Sequence, residues 1–414
     1  MRRRTFIAAS SAGIATGLPG CQGLQRSGSS HELGELGAGE DGDDTDSEDG
    51  EPPEEPAVDI FGTVDFADPY AEVDWDSYGS HKAQFHVHPH YGDIGPPQEV
   101  YDRYVDLGYE VINVQPKDDL DHGKPWPLEE MGEMHDEWEN RYPEEDGVVA
   151  LPGVEYERPQ HLVGLFTEVM RDDLDAAGVP GGIRHPDPQY ETARYVIDAG
   201  ATPETVEPLL FLAHVGRYRA GEFWDGPWDE EWLSHYDRLF GMDPVLGLEA
   251  ITYSFSYDDR DLWDHLLAEA TPDRPVIGTS VDDIADLDTA DRGWVTFYLS
   301  DGEFSPSDQQ STQGAVWEAL VSGRSSFSTT REAGTEAPTI ERIERDDVDG
   351  TITIEATGQD VIEWVSHGDV VETGSTIKYE AEDVGEYVRA QLVDGDPDDP
   401  NAITCTQAWH FGQE

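Results

Sequence analysis

Cysteine is almost missing from this chain: Cys21 and Cys405 are the only two in 414 residues, so it is not a disulfide scaffold or a thiolate metal site. Lysine is nearly as scarce. Lys82, Lys117, Lys124 and Lys378 are four of 25 basic residues, set against 90 acidic ones, for a net charge of −65. Nucleic acid is thereby excluded as a partner, because phosphate backbones need clustered Lys and Arg. No G-x-S-x-G elbow marks a serine hydrolase, and no P-loop marks a phosphate cradle. The apolar run Ala8 to Leu18 is too short to span a bilayer.

What is present in excess is carboxylate. Repulsion on this scale would loosen a compact fold in dilute buffer, but molar salt shortens the Debye length to roughly 3 Å and screens it. The acidity therefore describes a surface suited to brine and says nothing of the substrate. With 37% hydrophobic and 10% aromatic residues, the chain still has enough apolar surface for a sizeable interior.

At the N-terminus, Arg2-Arg3 ahead of a short apolar stretch resembles a twin-arginine export signal, and Leu18-Pro19-Gly20-Cys21 resembles a lipobox. Residues 1–21 are accordingly expected to be a signal. The mature chain would be exported, anchored to the outer face of the cytoplasmic membrane through lipidated Cys21, and left with Cys405 as its only other cysteine, so without an internal disulfide. Residues 22–57 follow as an acidic, disordered tether; 31–55 hold twelve carboxylates and neither Lys nor Arg.

From about residue 81, short β-rich runs alternate with helical periodicity, the pattern of an α/β barrel with parallel strands. Strands are expected at 82–88, 109–114, 148–155, 161–167, 209–215, 246–253 and 276–281, and helices at 97–107, 128–140, 190–199, 228–240 and 258–269. After Arg331, short alternating strands without helices predict a small C-terminal β-sandwich over 335–414, leaving 58–334 for the barrel.

Several histidines and acids fall at strand ends. His86-Val87-His88 places two imidazoles on one face of a strand, within reach of one ion. Asp93 lies in the loop beyond. Glu155 ends one apolar run, His161 opens the next strand, His214 ends Leu209 to Ala213, and Asp283 follows Val276 to Val281. In a parallel barrel these ends would share one rim.

These motifs resemble those of the PHP (polymerase and histidinol phosphatase) family: His86-x-His88 with Asp93, Pro152-Gly153-Val154-Glu155, Ala213-His214 with Gly216-Arg217, and Asp282-Asp283. Ala319 to Arg324 resembles its closing helix, and Tyr387-Val388-Arg389 the appended β-domain of its carbamate-hydrolase-like branch. The resemblance spans roughly residues 80–414 and implies a distorted TIM-like (β/α)7 barrel. It also implies that His86, His88, Glu155 and Asp283 hold one ion, with Glu155 bridging to a second held by His161 and His214. A third subsite in trinuclear members would use Asp93 and two histidines, whose positions are Lys117 and Ala285 here. Two ions are therefore expected.

Mixed His and carboxylate ligation suits Zn²⁺, Mn²⁺ or Fe²⁺. The implied chemistry is metal-assisted hydrolysis of a small ester, phosphorylated by preference, with a carboxyl ester or carbamate as alternatives on the same site. Lys117 either replaces the third ion as a fixed charge or points to solvent. His90, or His122, serves as general acid or is merely exposed, and Arg217 clamps an anionic group or forms a surface ion pair. The rival reading is an inactive surface binding protein whose loop tryptophans Trp126, Trp224 and Trp228 stack on sugars.

Overall fold

The computed structural model describes residues 60–61, 67–89, 94–115, 146–157, 160–179, 187–201, 206–219, 230–252, 254–270 and 273–411. His90, Asp93, Lys117, His122, the three loop tryptophans, the signal, the tether and the helix expected at 128–140 lie outside them. In chain order the first part runs β1 (Tyr78–Gln84), α1 (Pro97–Asp106), β2 (Val111–Ile112), β3 (Val149–Ala150), β4 (Gly153–Tyr156), β5 (Leu162–Leu165), α2 (Arg171–Ala176), α3 (Asp187–Ala199), β6 (Leu209–Leu212), α4 (Gly216–Arg219), α5 (Glu230–Phe240), β7 (Val245–Thr252), β8 (Tyr257–Asp258), α6 (Arg260–Ala270), β9 (Ile277–Val281), β10 (Gly293–Ser300), α7 (Gln309–Ser322) and β11 (Ser325–Thr330). It continues as β12 (Thr339–Asp346), β13 (Thr351–Thr357), β14 (Val361–Ser366), β15 (Asp369–Thr373), β16 (Thr376–Lys378), β17 (Tyr387–Asp396), β18 (Asp399–Thr406) and β19 (Trp409–His410).

The expected (β/α)7 barrel is overturned. Strand outweighs helix, 36% to 24%, and the strands gather into large sheets. One sheet runs β15-β14-β17-β18-β11-β10-β1-β2-β3 with β19 on β17; a second runs β4-β5-β6-β7-β8 with β9 on β7; a third is β12-β13-β16. Parallel pairing among the described residues is confined to β1–β2, β2–β3, β6–β7 and β7–β9. The reason lies in the connections. A parallel pair needs a crossover of about a dozen residues or more, and the five residues between β4 and β5 allow only an antiparallel return. Strand β10 likewise runs antiparallel beside β1, and β11 antiparallel beside β10, neither of them among the expected strands.

Strand β18 pairs with β11, so strands on both sides of residue 334 belong to one sheet. The C-terminal segment stacks β12, β13 and β16 on that sheet. Its core is Ile340, Ile343, Ile352, Ile354 and Ile377 against Trp364, Leu392 and Trp409. A buried ion pair ties it to α6: the Arg389 guanidinium donates from Nε and Nη2 to the two Asp264 carboxylate oxygens, each at 2.8 Å.

Packing of β7 against β9 sets the floor of the site. Gly247 is required there, because a Cβ would lie 1.9 Å from the Ile277 carbonyl oxygen. Main-chain approach that close is open only to glycine. The buried faces of β4 to β7 and β9 then form one apolar core with the inner face of α7.

Candidate metal centre

Most of the ligand residues stand just outside the strands that position them. The Gln84 carboxamide stops β1 by accepting the N–H groups of Phe85 at 3.0 Å and His86 at 3.1 Å, while its Nε2 donates to the Gly293 carbonyl. His86 and His88 therefore stand past the strand, not within it as expected. His161 immediately precedes β5, His214 lies two residues past β6, and Asp283 two past β9; Glu155 sits inside β4. His214 (φ 32°) and Asp283 (φ 39°) both occupy left-handed backbone, a strained state that tends to persist where surrounding contacts demand it. Those contacts are visible: the His214 N–H donates to Glu249 Oε2 at 2.9 Å, and the Asp283 N–H to the His86 carbonyl at 2.9 Å.

All of these side chains meet in one place, with Glu155 at its centre. Its carboxylate lies 2.5 Å from His161 Nδ1, 3.0 Å from His88 Nε2, 3.2 Å from His214 Nε2 and 3.3 Å from His86 Nε2. The Asp283 carboxylate is 3.6 Å from both His86 and His88 Nε2, and 3.4 Å from His214 Nε2. His86, His88, Glu155, His214 and Asp283 are fully buried; the His161 side chain keeps 12% exposure. Three groups of donor atoms result: His86, His88 and Glu155; His86, His214 and Asp283; and Glu155, His161 and His214. A tetrahedral ion with bonds of about 2.0–2.1 Å sets its ligand atoms about 3.3 Å apart, which falls within the 3.0–3.6 Å from His86, His88 and His214 to the two carboxylates, while Glu155 and His161 stand closer.

Hydrogen bonding fixes the imidazole tautomers. The Gln115 carbonyl can only accept, so His88 Nδ1, 2.9 Å away, carries the proton; Glu249 Oε1 likewise accepts from the Nδ1–H of His86 at 2.6 Å. In the neutral rings that leaves the Nε2 atoms as donors of electron pairs, and they face each other at 2.9 Å. Two lone pairs at that distance repel unless a positive centre sits between them. Burial by itself would lower the His86 pKa, but the Glu249, Asp283 and Glu155 carboxylates raise it well above the ordinary imidazole value. Burial alone would raise Asp283, whereas the His86 and His214 imidazoles beside it pull its pKa down. The pocket attracts positive charge to one point, and its buried donor set is able to hold a metal ion.

Glu249 was not singled out from sequence. Its signal is a lone carboxylate inside β7, every residue of which is buried. Asp282, beside the Asp283 ligand, has a different task. It accepts the N–H groups of Asp291, Arg292 and Gly293 and the Tyr104 hydroxyl, and so ties the turn before β10. Arg217 stands one turn beyond His214, with its backbone N–H on the His214 carbonyl, and is not in the donor cluster. Cys405 is not in the donor cluster: it is buried in β18 and its thiol pKa is pushed up to about 11 by that burial.

No protein-family model matches the chain, and no curated protein matches it. The class that the site itself defines is a protein with a buried, histidine- and carboxylate-lined centre fitted to a metal ion.

Proposed function

We propose that the protein is a metal-dependent hydrolase of the PHP type, acting on small anionic esters and foremost phosphoesters. The observation that carries this reading is the facing pair of Nε2 atoms on His86 and His88, 2.9 Å apart inside a ring of carboxylates. Charge supports two ions in place of one. Glu155, Asp283 and Glu249 bring three buried negative charges, and buried charge is costly unless compensated. One divalent ion leaves the site negative, while two make it positive by one unit and ready for an anion.

Divalent Zn, Mn or Fe bound here would supply Lewis acidity and an activated water. The chain's own residues do the rest. Glu155 is shared between the donor groups, Glu249 and the Gln115 carbonyl orient the two imidazoles, and the burial of His86, His88, His214 and Asp283 excludes bulk water. Arg217, half-buried three residues after His214, would be the cation for an anionic substrate group.

The test is hydrolysis of a generic phosphodiester, a phosphomonoester and a carboxyl ester by protein folded in molar salt. Replacement of His214 by alanine should remove turnover and bound metal together. Metal-loaded wild-type protein that hydrolyses none of the three would reject the enzyme reading in favour of a binding protein. Export and lipid anchoring through Cys21 are part of the proposal and rest on Arg2-Arg3 and the Leu18 to Cys21 motif; mass spectrometry of the N-terminal peptide, with or without acyl chains on Cys21, decides it.

A further inference from the structure

We infer that the Gln115 carboxamide is a ligand-binding arm of this centre, donating a hydrogen bond from Nε2 to an oxygen of a bound phosphate-like anion. The inference rests on the reading of the site as a metallohydrolase centre and adds to it a residue that contacts substrate. Both main-chain groups of Gln115 are committed to the metal-ligand segment: its N–H donates to the Val87 carbonyl at 3.0 Å, and its carbonyl accepts from His88 Nδ1 at 2.9 Å. The side chain is another matter. It is fully buried, yet neither Oε1 nor Nε2 has a hydrogen-bond partner among the described residues.

A carboxamide stripped of water with both atoms unpaired weakens the fold, and folding gives no reason to keep one. A nearby amide shows how such a side chain is ordinarily paired. Asn113 Nδ2 donates to the Leu151 carbonyl at 2.7 Å and fills the space over Gly153, where a Cβ would lie 2.5 Å from it. The main chain holds Gln115 against the ligand segment, since both of its backbone groups bond to Val87 and His88. His88 Nε2 in turn lies 3.0 Å from the Glu155 carboxylate, so the unpartnered carboxamide belongs to a residue one hydrogen bond away from a ligand of the centre. A neutral amide there can donate to an oxyanion without adding charge or competing for the cation.

The experiment compares the full chain with Gln115→Met, which keeps length and burial but removes both polar atoms. Both proteins are folded in molar potassium chloride, loaded with zinc or manganese, and titrated calorimetrically with inorganic phosphate. The expected result is unchanged metal content, a melting temperature equal to or above that of the wild type, and phosphate binding weaker by about tenfold or more, or about 1.4 kcal/mol. A dissociation constant within about twofold of the wild type would overturn the inference and leave the carboxamide as a site for buried water alone. Should the methionine variant fail to fold, Gln115→Asn, which withdraws the amide by one methylene, is expected to show the same loss, and retained affinity overturns the inference equally. Wild-type protein that takes up no metal, or binds no phosphate when loaded, overturns the metallohydrolase reading and Gln115 with it; binding by wild type and by both variants alike removes Gln115 only.

Discussion

Glu249 is the residue whose replacement separates an organised metal centre from a chance meeting of polar groups. Its two oxygens accept from two different donors, His86 Nδ1 at 2.6 Å and the His214 backbone N–H at 2.9 Å. Glutamine in its place has one accepting oxygen and one donating NH2, so in Glu249→Gln one of those N–H groups must face another donor. Either the His86 ring loses the bond that turns Nε2 towards Glu155, or the left-handed turn at His214 loses its anchor. The negative charge beside His86 is lost in both cases. Changes to such supporting groups cost about 10–100-fold in metal affinity, or about 1.4–2.8 kcal/mol. Chelator competition in molar salt measures it, with circular dichroism of the chelated proteins as the control for folding. An affinity within about twofold of the wild type would refute the assignment of Glu249 as the orienting group.

Three further outcomes follow from particular contacts. His161 belongs only to the Glu155–His161–His214 donor group and is the most exposed of the ligands, so His161→Ala should bind one ion in place of two, read by elemental analysis; unchanged stoichiometry would place the second ion elsewhere. Asp264→Ala leaves the Arg389 guanidinium buried without its bidentate partner; breaking such a pair costs about 3–5 kcal/mol, visible in denaturant unfolding, and a loss below about 1 kcal/mol would contradict the buried pair. Burial lowers the His410 pKa to about 4, from 6.5. The folded state keeps this imidazole neutral, so its contribution is complete above pH 6.5 and is lost as pH falls from there through about 4, a change of up to about 3 kcal/mol. His410→Gln should flatten that part of the wild-type stability profile, and parallel profiles for the two proteins would show that another group is responsible.

The ligands were legible because each lies at or beside the end of an apolar run, as with His214 after Leu209 to Leu212 and Asp283 after Ile277 to Val281. Six of the seven expected metal ligands converge, and the seventh, Asp93, lies outside the described residues. Sheet direction was not legible, since pairing is decided by connections and partners that local periodicity does not encode. Strand β11, Ser-Ser-Phe-Ser-Thr-Thr, lacks an apolar alternation yet is buried along its whole length, which hid the antiparallel ladder that it forms with β10. Glu249 escaped notice for the opposite reason: a strand apolar on both faces reads as core, and its one carboxylate looks like an interruption. Gln84 and Gln115 act through amide and main-chain groups, and nothing in a sequence pattern separates those from ordinary strand polarity.

The central claim is that His86, His88, Glu155, His161, His214 and Asp283 grip cations. Elemental analysis of the full chain, folded in molar salt and dialysed free of loose metal, tests it most directly. Close to two divalent ions per chain are expected, falling sharply in His86→Ala. Less than a tenth of an ion per chain after incubation with zinc, manganese and iron in turn would contradict it and leave the cluster as a network held together by protons.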